Sequence, residues 1–418
     1  MHPIEAKYRA RTPKSAAVAA RAERLLPGGD VRAASYHAPY SVVIDRGQGA
    51  RLHDVDGNDY LDFINNYTVL VHGHAYPPVT EAIHRAVDKG TCWPAKAMDQ
   101  LELAEMVVDR VASIEQVRFA NSATEAVLQA VVAARAYTGR KRILCARYGF
   151  HGFALDAKNP TSKPDLLDTE LADFNDAASF ERVLEEQGSQ IAAVVLEPIL
   201  GAGGIVAGTP EFFARVHAAA RKAGALLVLD EATVFRVATG GAQQLLGVDP
   251  DLTVLGKVVG GGTPAGAVGG KREIMRMFDP RSGKVFISGT FAGNPVTMAA
   301  GVAMLRDLTA ERIARQEAQL AMLEDGLKKL AARHRLPFST RRFRSLMNIY
   351  FSETPPPVNQ LRQDVEMATA FQLACMANGI FMVVRLVLNC STVMTDADIR
   401  EALQRFDAAL ADVAGTVR

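Results

Sequence analysis

Lys257 stands in an apolar setting that could give its amine a chemical role. The segment VLGKVVGGG, residues 254–262, places this lysine between two short aliphatic runs and puts three glycines behind them. Partial burial among such residues disfavours the charged ammonium form of a lysine. A lysine kept partly neutral can act as a nucleophile and form a Schiff base with a carbonyl compound. The alternative is a structural lysine whose stem packs while its charged end reaches water.

Asp230 follows an apolar run in the segment ALLVLDEATVFR, residues 225–236. The carboxyl ends of parallel strands form the edge at which open α/β sheets bind ligands. Asp230 could pair with an arginine such as Arg236, or it could hold the proton on the ring nitrogen of a cofactor. An aspartate and a lysine nucleophile are what chemistry with pyridoxal 5'-phosphate (PLP) requires. The presence of Lys257 further along the chain therefore favours the second role.

A helix N-terminus suited to an anion is predicted in VRFANSATEAVLQAV, residues 117–131. Ser122 and Glu125 have the S-x-x-E spacing of a capping box, so the helix should begin at Ser122. Free backbone N–H groups and the helix dipole suit a phosphate or carboxylate there, and Thr124 adds a hydroxyl donor. The polar segment SGTFAGNP, residues 288–295, precedes another helix and has similar character. Each segment alone could also be an ordinary capped helix or loop.

These candidate residues lie in a region where strand and helix patterns alternate, from about residue 70 to residue 305. ALLVL is a strand pattern, and PEFFARVHAAARKAG is a helical pattern that Thr209 should cap and Gly224 should end. Alternation of this kind is typical of a mainly parallel sheet covered by helices. Residues 40–63 differ, because their period of two and their DGN turn predict an antiparallel meander.

Both chain ends are expected to contribute to a smaller domain. Helical patterns dominate after residue 305, and the capping box TDAD, residues 395–398, opens the last helix. We expect residues 1–69 to form an N-terminal segment and part of a small α+β domain. Residues 70–305 should form a large cofactor-binding domain, and residues 306–418 should complete the small domain.

The overall charge and the N-terminus exclude several classes of function. The chain has 47 basic and 46 acidic residues among 418, so no polyanion-binding surface is indicated and no nucleic-acid partner is expected. No apolar run approaches the length of a membrane span. The basic, alanine-rich N-terminus lacks the apolar core of a signal peptide, so we expect an amphipathic helix there and a cytoplasmic protein.

Cysteine and histidine spacing indicates neither a disulfide scaffold nor a metal site. The cysteines are far apart and form no CxxC pair, so we expect buried thiols in a reducing compartment. They are Cys92, Cys145, Cys375 and Cys390. His72 and His74 could suggest a pair of ligands, but no third ligand lies nearby in the sequence, and we assign no metal.

Taken in order along the chain, these motifs resemble the class III (fold type I) PLP-dependent aminotransferases, in the glutamate-1-semialdehyde aminomutase-like branch. The resemblance runs from about residue 26 to the C-terminus. It is carried by NSATEA, RYGFHGF, LEPILGAGG, LLVLDEATVFRVATGG, TVLGKVVGGG and SGTFAGNP. It implies the α/β fold of PLP-dependent transferases of fold type I, in which a large domain contains a mainly parallel, seven-stranded sheet.

The resemblance implies roles for the residues around the cofactor ring. Lys257 would form the Schiff base and Asp230 would pair with the pyridine nitrogen. Phe150 would stack on the ring beside His151, also a cofactor-binding residue, and it replaces the tyrosine usual in the family. Ala232 would lie against the other face, where valine is usual. DEATVFR is also one residue shorter than the common DEVxTGFR, so these differences bear on cofactor affinity and substrate preference.

The resemblance also implies a phosphate site and an oligomer. Ser122, Ala123 and Thr124 would bind the phosphate, with Ala123 in place of the usual glycine. Thr290 would contribute to the phosphate site of the neighbouring subunit. A homodimer with shared active sites follows from that role.

Two arginines match substrate-binding positions of relatives that act on β-amino acids. The resemblance assigns Arg32 and Arg385 to substrate carboxylates, for which a guanidinium is well suited. Arg385 stands in the apolar stretch FMVVRLVLNC, where the alternative is a buried structural ion pair. Arg32 could be a solvated loop arginine. Tyr67 and Trp93 are further candidates for lining the substrate pocket.

The predicted reaction is ping-pong transamination from an amino acid, here a β-amino acid, to an oxo acid such as 2-oxoglutarate or pyruvate. The substrate amine would displace Lys257, whose freed amine would then move a proton from the substrate carbon to the cofactor carbon. One alternative is an aminomutase, or an amino-acid racemase or epimerase, of the same fold. Another is a catalytically weak PLP-binding protein in a biosynthetic pathway, which Phe150, Ala123 and Ala232 keep open.

Overall fold

The computed structural model describes residues 3–155, 167–281, 283–359 and 364–415. The strands are β1 Ile44–Gln48, β2 Arg51–Asp54, β3 Asp59–Asp62, β4 Gln116–Ala120, β5 Arg142–Ala146, β6 Thr169–Ala172, β7 Ile191–Leu196, β8 Ile199–Leu200, β9 Val206–Ala207, β10 Leu226–Asp230, β11 Leu252–Gly256, β12 Gly266–Gly270, β13 Ser339–Phe343, β14 Leu346–Tyr350, β15 Ile380–Phe381 and β16 Val387–Asn389.

The helices are α1 Pro3–Arg11, α2 Pro13–Ala22, α3 Asn65–Thr68, α4 Pro77–Val87, α5 Met98–Arg110, α6 Ala123–Thr138, α7 Ala177–Gln187, α8 Pro210–Ala223, α9 Gly241–Leu246, α10 Arg272–Met275, α11 Pro295–Asp307, α12 Ala310–His334, α13 Val365–Ala377 and α14 Asp396–Ala414. Short 3₁₀ turns are Pro27–Gly29, Gly188–Gln190, Phe235–Val237, Lys257–Gly260 and Arg276–Phe278.

The larger unit is built on a seven-stranded sheet with the order β4-β12-β11-β10-β7-β5-β6. Its neighbouring strands pair in parallel, except that β12 runs antiparallel to both β4 and β11. The strands β7, β10, β11 and β12 are buried along their whole length, which is why they appear as continuous apolar runs in the sequence. The prediction of a mainly parallel α/β sheet is confirmed.

Helix signals read from the sequence correspond to the observed helix ends. The Thr209 hydroxyl accepts the Phe212 N–H at the start of α8, and Gly224 ends that helix with φ 71°. Thr395 and Asp398 form the reciprocal capping box of α14. The N-terminal segment is helical but forms two helices, α1 and α2, because Pro13 cannot continue the hydrogen bonding of the first.

The smaller unit contains two sheets. The predicted meander is present, with β1, β2 and β3 antiparallel, and β15 adds in parallel to β3. The second sheet has the order β13-β14-β16 and is antiparallel. Its aromatic core joins residues from both chain ends, since the rings of Phe63 and Phe406 lie 6.0 Å apart and those of Phe371 and Phe406 lie 6.1 Å apart.

The chain divides into units whose limits differ from the expected boundaries at residues 70 and 305. The smaller unit comprises Met1–Tyr67, Val71–Tyr76 and Ala314–Arg418, and the larger comprises Thr68–Leu70 and Pro77–Ile313. Helix α11 continues past residue 305 while it packs against α4 and α5, so it stays with the larger unit. His74 pairs by its backbone with Gly49, which holds its segment to the smaller unit.

Cys92 is exposed, so the expectation that all four cysteines are buried is wrong at this position. It lies in an irregular segment before α5 instead of a strand or helix, and its thiol donates a hydrogen bond to the Thr290 carbonyl at 3.3 Å. The other three cysteines are buried. Among the described helices, none has the length and apolar character needed to cross a membrane.

Candidate active site

Lys257 directly follows β11 and begins the 3₁₀ turn Lys257–Gly260. Its backbone has φ 51°, in the left-handed region that non-glycine residues seldom occupy. A strained residue persists only where the surrounding structure maintains its conformation, and such residues cluster at functional sites. The strand therefore ends and the turn begins at Lys257, the residue that carries the amine.

The Lys257 amine is held inside the larger unit. Its Nζ donates a hydrogen bond to the Thr233 hydroxyl at 2.7 Å. Burial lowers the pKa of the amine, while the nearby Asp230 and Glu197 carboxylates raise it. A structural lysine with its charged end in water does not match this arrangement, whereas an amine kept partly neutral for nucleophilic attack does.

Asp230 pairs with His151 and not with Arg236. The His151 Nδ1 lies 2.9 Å from the Asp230 Oδ2, and both side chains are buried. The Asp230 Oδ1 accepts the Ala232 N–H at 3.0 Å. The Arg236 guanidinium instead donates to the Thr68 carbonyl at 3.3 Å. His151 and the Ala232 N–H therefore hold the Asp230 carboxylate at the end of β10, and Arg236 takes no part.

Glu197 is a buried carboxylate beside this pair that sequence reasoning did not single out. Its two oxygens accept the Phe150 N–H at 3.0 Å and the Gly201 N–H at 3.1 Å. Its pKa is raised to about 7, chiefly by burial and also by Asp230, while His151 and the two N–H donors act to lower it. Glu197 follows the apolar run of β7 just as Asp230 follows that of β10. This repeated pattern is the signal that could have identified it.

The helix N-terminus predicted for an anion is present at α6. The Ser122 hydroxyl accepts the Glu125 N–H at 3.1 Å, as a cap should. The Glu125 carboxylate reaches the Asn121 N–H at 2.7 Å, one residue before the position that a capping box uses. The first N–H groups of the helix, at Ala123 and Thr124, therefore lie at a capped N-terminus suited to phosphate.

Three glycines bring the separate segments of the site together. A Cβ at Gly256, next to Lys257, would lie 2.7 Å from the Ala123 Cβ and 3.4 Å from the Ala232 Cβ. A Cβ at Gly266 would clash with the Ser122 carbonyl oxygen. The remaining contact is at Gly152, where φ is 90° and a Cβ would meet the Thr124 hydroxyl. Almost no space is therefore left between three parts of the site, which are the strand ends, the α6 N-terminus and the turn after His151.

This arrangement fits PLP on the grounds of its donor set. The α6 N-terminus offers N–H groups and the Thr124 hydroxyl to a phosphate. Asp230 offers a buried carboxylate to a protonated ring nitrogen, and Lys257 offers an amine to a carbonyl carbon. These three groups belong to segments that the glycine contacts hold against one another.

The remaining cofactor and pocket candidates of the larger unit lie toward its surface. Phe150 and Trp93 are each 40% exposed. A Cβ at Gly90 would lie 2.8 Å from the Trp93 indole nitrogen, so the ring lies across that glycine. Thr290 is exposed and stands between Phe286 and Phe291, which are 91% and 61% exposed.

In the smaller unit, the structure brings Arg32 and Tyr67 together. The Arg32 guanidinium lies 4.8 Å from the centroid of the Tyr67 ring, and its Nη1 donates to the Asn66 Oδ1 at 2.6 Å. The Tyr67 hydroxyl donates to the Ala34 carbonyl at 2.5 Å. Both Asn66 and Tyr67 belong to α3, a single turn in which all four residues have positive φ. Such a strained turn holds the tyrosine in a defined direction.

Arg385 lies in a turn between β15 and β16 and is half-buried. Within the part of the chain that the structure describes, no side chain or carbonyl forms a hydrogen bond or ion pair with its guanidinium. The adjacent Leu386 is buried and has φ 55°. The expected alternative, a structural ion pair, is absent from these residues.

His72 and His74 have separate partners. The His72 Nδ1 lies 2.6 Å from the Thr392 hydroxyl, and the His74 Nε2 lies 2.7 Å from the Asp62 carboxylate. Over residues 3–155, 167–281, 283–359 and 364–415, no cluster of three or more His, Cys, Asp or Glu side chains is suited to a metal ion.

Comparison with known proteins identifies the family of the chain. A family model described as Aminotransferase class-III matches residues 32–410. Glutamate-1-semialdehyde 2,1-aminomutase 2 of Bacillus cereus is 37% identical over 95% of this chain and 98% of its own length. An omega-transaminase from Sphaerobacter thermophilus has a TM-score of 0.90 and 36% identity, covering 96% of this chain and 97% of its own.

A β-phenylalanine aminotransferase from Variovorax paradoxus superposes with a TM-score of 0.90 and is 35% identical, over 99% of this chain and 96% of its own. The glutamate-1-semialdehyde aminomutase-like branch and the fold predicted from the sequence are both confirmed. The chain therefore belongs to the class-III aminotransferases, enzymes that use PLP.

Proposed function

We propose that the protein transfers an amino group from a β-amino acid to an oxo acid such as 2-oxoglutarate or pyruvate. The observation that carries the substrate assignment is the half-buried Arg385, whose guanidinium has no polar partner within the described residues. Within those residues nothing competes with a substrate carboxylate for its donors. The similarity to a protein named as a β-phenylalanine aminotransferase supports the same class of donor.

The chain's own residues supply the acid–base chemistry. PLP, when bound, provides a carbonyl carbon for the amine and a ring that accepts an electron pair. Lys257 provides the amine that releases the cofactor to the substrate and then takes a proton from the substrate carbon. Asp230 holds the proton on the ring nitrogen, and His151 keeps the Asp230 carboxylate oriented through their 2.9 Å contact. Ser122 and Thr124 bind the phosphate.

The two arginines receive the carboxylates of donor and acceptor. Arg385 offers a planar guanidinium whose donors are available for bidentate binding. The Arg32 guanidinium is stacked on the Tyr67 ring, which fixes the orientation of its plane. One of its nitrogens already donates a hydrogen bond to Asn66. Because both oxo acids and β-amino acids carry a carboxylate, the same arginines serve both halves of a ping-pong reaction.

A homodimer completes the proposal. Phe286, Phe291 and Met98 are 91%, 61% and 78% exposed, which is unusual for large apolar side chains and typical of a surface that another chain covers. Thr290 lies between the two phenylalanines and would reach the phosphate site of the partner.

Light scattering should give twice the mass of one chain. A Lys257→Ala protein mixed with a Thr290→Ala protein should recover activity in heterodimers if the sites are shared.

An aminomutase is the second candidate function. It is favoured by the 37% identity to a protein named glutamate-1-semialdehyde 2,1-aminomutase 2. In that reaction the amino group returns to the same carbon skeleton, so no added oxo acid is consumed. Incubation of an amino acid with the PLP-loaded enzyme and no acceptor would then give the isomer over many turnovers, without release of an oxo acid.

The experiment that tests the proposed function is steady-state kinetics with a β-amino acid and 2-oxoglutarate, varied together. Parallel lines in double-reciprocal plots, with glutamate formed in equal amount to the oxo product, are expected for ping-pong transfer. Pyruvate should be tried in parallel, because its single carboxylate also fits one arginine. Isomer formation without glutamate or alanine would overturn the proposal in favour of the aminomutase.

A further inference from the structure

Thr233 is the polar group bonded to the reacting amine, although no motif assigns it a role. It lies in the shortened DEATVFR segment, three residues after Asp230. Its Oγ1 accepts the Lys257 Nζ hydrogen bond at 2.7 Å. We propose that Thr233 is a positioning residue, whose hydroxyl holds the Lys257 amine ready to react and keeps it directed away from the neighbouring carboxylates. The proposal rests on Lys257 as the reacting amine.

The direction of the hydroxyl is set by contacts that do not involve Lys257. A Cβ at Gly201 would lie 2.8 Å from the Thr233 Cγ2, so the methyl group packs directly against that glycine. The Thr233 carbonyl accepts the Thr68 hydroxyl at 3.3 Å. Because Cβ of threonine carries both a methyl and a hydroxyl, fixing the methyl also fixes the hydroxyl. The acceptor for the amine is thus in place whether or not the amine is bonded to it.

The charges around the amine explain why a neutral acceptor is useful. Asp230 at the end of β10 and Glu197 after β7 are the carboxylates that act on Lys257, and His151 is bonded to Asp230. An amine that paired tightly with Asp230 would stay protonated and would occupy the carboxylate needed at the ring nitrogen. The Thr233 hydroxyl orients the amine without adding charge, because a threonine side chain is neutral.

Uptake of PLP by the apoprotein tests this role without any amino donor or acceptor. The uptake rate should rise with pH as the Lys257 amine becomes neutral, and the midpoint of that profile reports the pKa of the amine. Without the hydroxyl the amine can pair with the Asp230 carboxylate, which stabilises the ammonium form, so the midpoint in Thr233→Val should move to higher pH, by about one unit. The plateau rate should fall as well, because the neutral amine is no longer held. Thr233→Ser should restore both values.

Thr253→Val is the matched control. Thr253 is a buried threonine on β11, and its hydroxyl contacts Ser113 at 3.0 Å and Gln243 at 3.5 Å, both away from the amine. It should lose stability but keep the wild-type midpoint. If Thr233→Val folds poorly, Thr233→Ala gives the same comparison, with circular dichroism as the check on folding.

An unchanged or lower midpoint in the valine or alanine variant would overturn the proposal. A serine variant that behaves like the valine variant would also overturn it, because packing and not the hydroxyl would then be responsible. Neither result depends on which amino acid the enzyme uses. A wrong substrate assignment would leave the uptake profile unaffected, so failure of this inference and failure of the proposed function can be told apart.

Discussion

Lys257 and Arg385 are both partly buried cations, but they differ in the hydrogen-bond partners that surround them. The Lys257 amine has a hydroxyl partner at 2.7 Å, and a network of His151, Asp230 and Glu197 surrounds it. The Arg385 guanidinium has no polar partner in the described part of the chain. The Lys257 amine thus has a partner in its own chain, whereas in the proposed function the Arg385 guanidinium pairs with the substrate.

This difference separates the reaction from substrate choice. Groups that move protons need fixed positions and shifted pKa values, and buried hydrogen bonds provide both. Groups that select a substrate need unused donors, because an arginine already paired with a carboxylate cannot bind another. We therefore expect changes near Lys257 to lower kcat for every donor, and changes at Arg385 to act on KM for carboxylated donors.

The largest effect is expected from Lys257→Ala. Without the amine, neither release of the cofactor to substrate nor proton transfer can proceed, so turnover should fall by about 10⁴-fold or more. The thermal midpoint of unfolding should stay close to that of the wild type. Lys271→Ala, which removes a lysine bonded to Asp249, is the matched control and should keep full activity. Full activity in the Lys257 variant would remove the basis of the assignment.

Asp230→Asn and Glu231→Gln compare two neighbouring carboxylates. Asp230 bonds to His151, whereas Glu231 accepts the Ala242 and Gln243 N–H groups at the start of α9. The Asp230 variant should lose about 10²- to 10³-fold in kcat, because a neutral amide cannot hold the ring-nitrogen proton. The Glu231 variant should lower the unfolding temperature and change kcat little. Equal losses in kcat would mean that the two residues share a structural role.

Arg385→Ala should change KM more than kcat. Loss of a charged, bidentate contact is expected to raise KM for a β-amino acid by about 30- to 100-fold, which corresponds to ~2–3 kcal/mol. Amines without a carboxylate should be affected much less. Arg344→Ala, which removes an arginine paired with Glu317, serves as the control. A rise in KM of the same size for both donor types would indicate a structural arginine.

The smallest effect concerns the pH dependence of stability. The pKa of Glu197 rises from 4.5 to about 7 on folding because of its burial. The folded state therefore binds this proton more tightly, and the resulting stabilisation is complete below about pH 4.5 and is lost as pH rises through 7. Glu197→Gln, which does not titrate, should make the fall in unfolding temperature between pH 5 and pH 7.5 less steep. Calorimetry of the apoprotein at both pH values measures it, and an unchanged slope would contradict the assignment.

The sequence predicted the parts of the site that depend on local pattern. An isolated lysine after an apolar strand, an aspartate at a strand end and a capped helix are all short-range signals, and they point to Lys257, Asp230 and Ser122 as candidates. The sheet confirmed the strand ends, and the glycine contacts bring those segments together.

The sequence did not reveal which side chains would be partners. Asp230 has Arg236 nearby in the chain, yet its partner is His151, 79 residues away. That pairing, and the contact of Glu197 with Phe150, depend on β5, β7 and β10 lying side by side in the sheet. The bond from Lys257 to Thr233 likewise depends on the turn after β10, which a pattern of residue types does not specify.

The most direct test of the account is the absorption spectrum of the purified, PLP-loaded protein. An aromatic β-amino acid is added first and 2-oxoglutarate second. We predict that the amino acid converts the visible band of the lysine-bound cofactor into the band of pyridoxamine phosphate, and that the oxo acid restores it. A lysine-bound band that the β-amino acid leaves unchanged would contradict the proposed donor class.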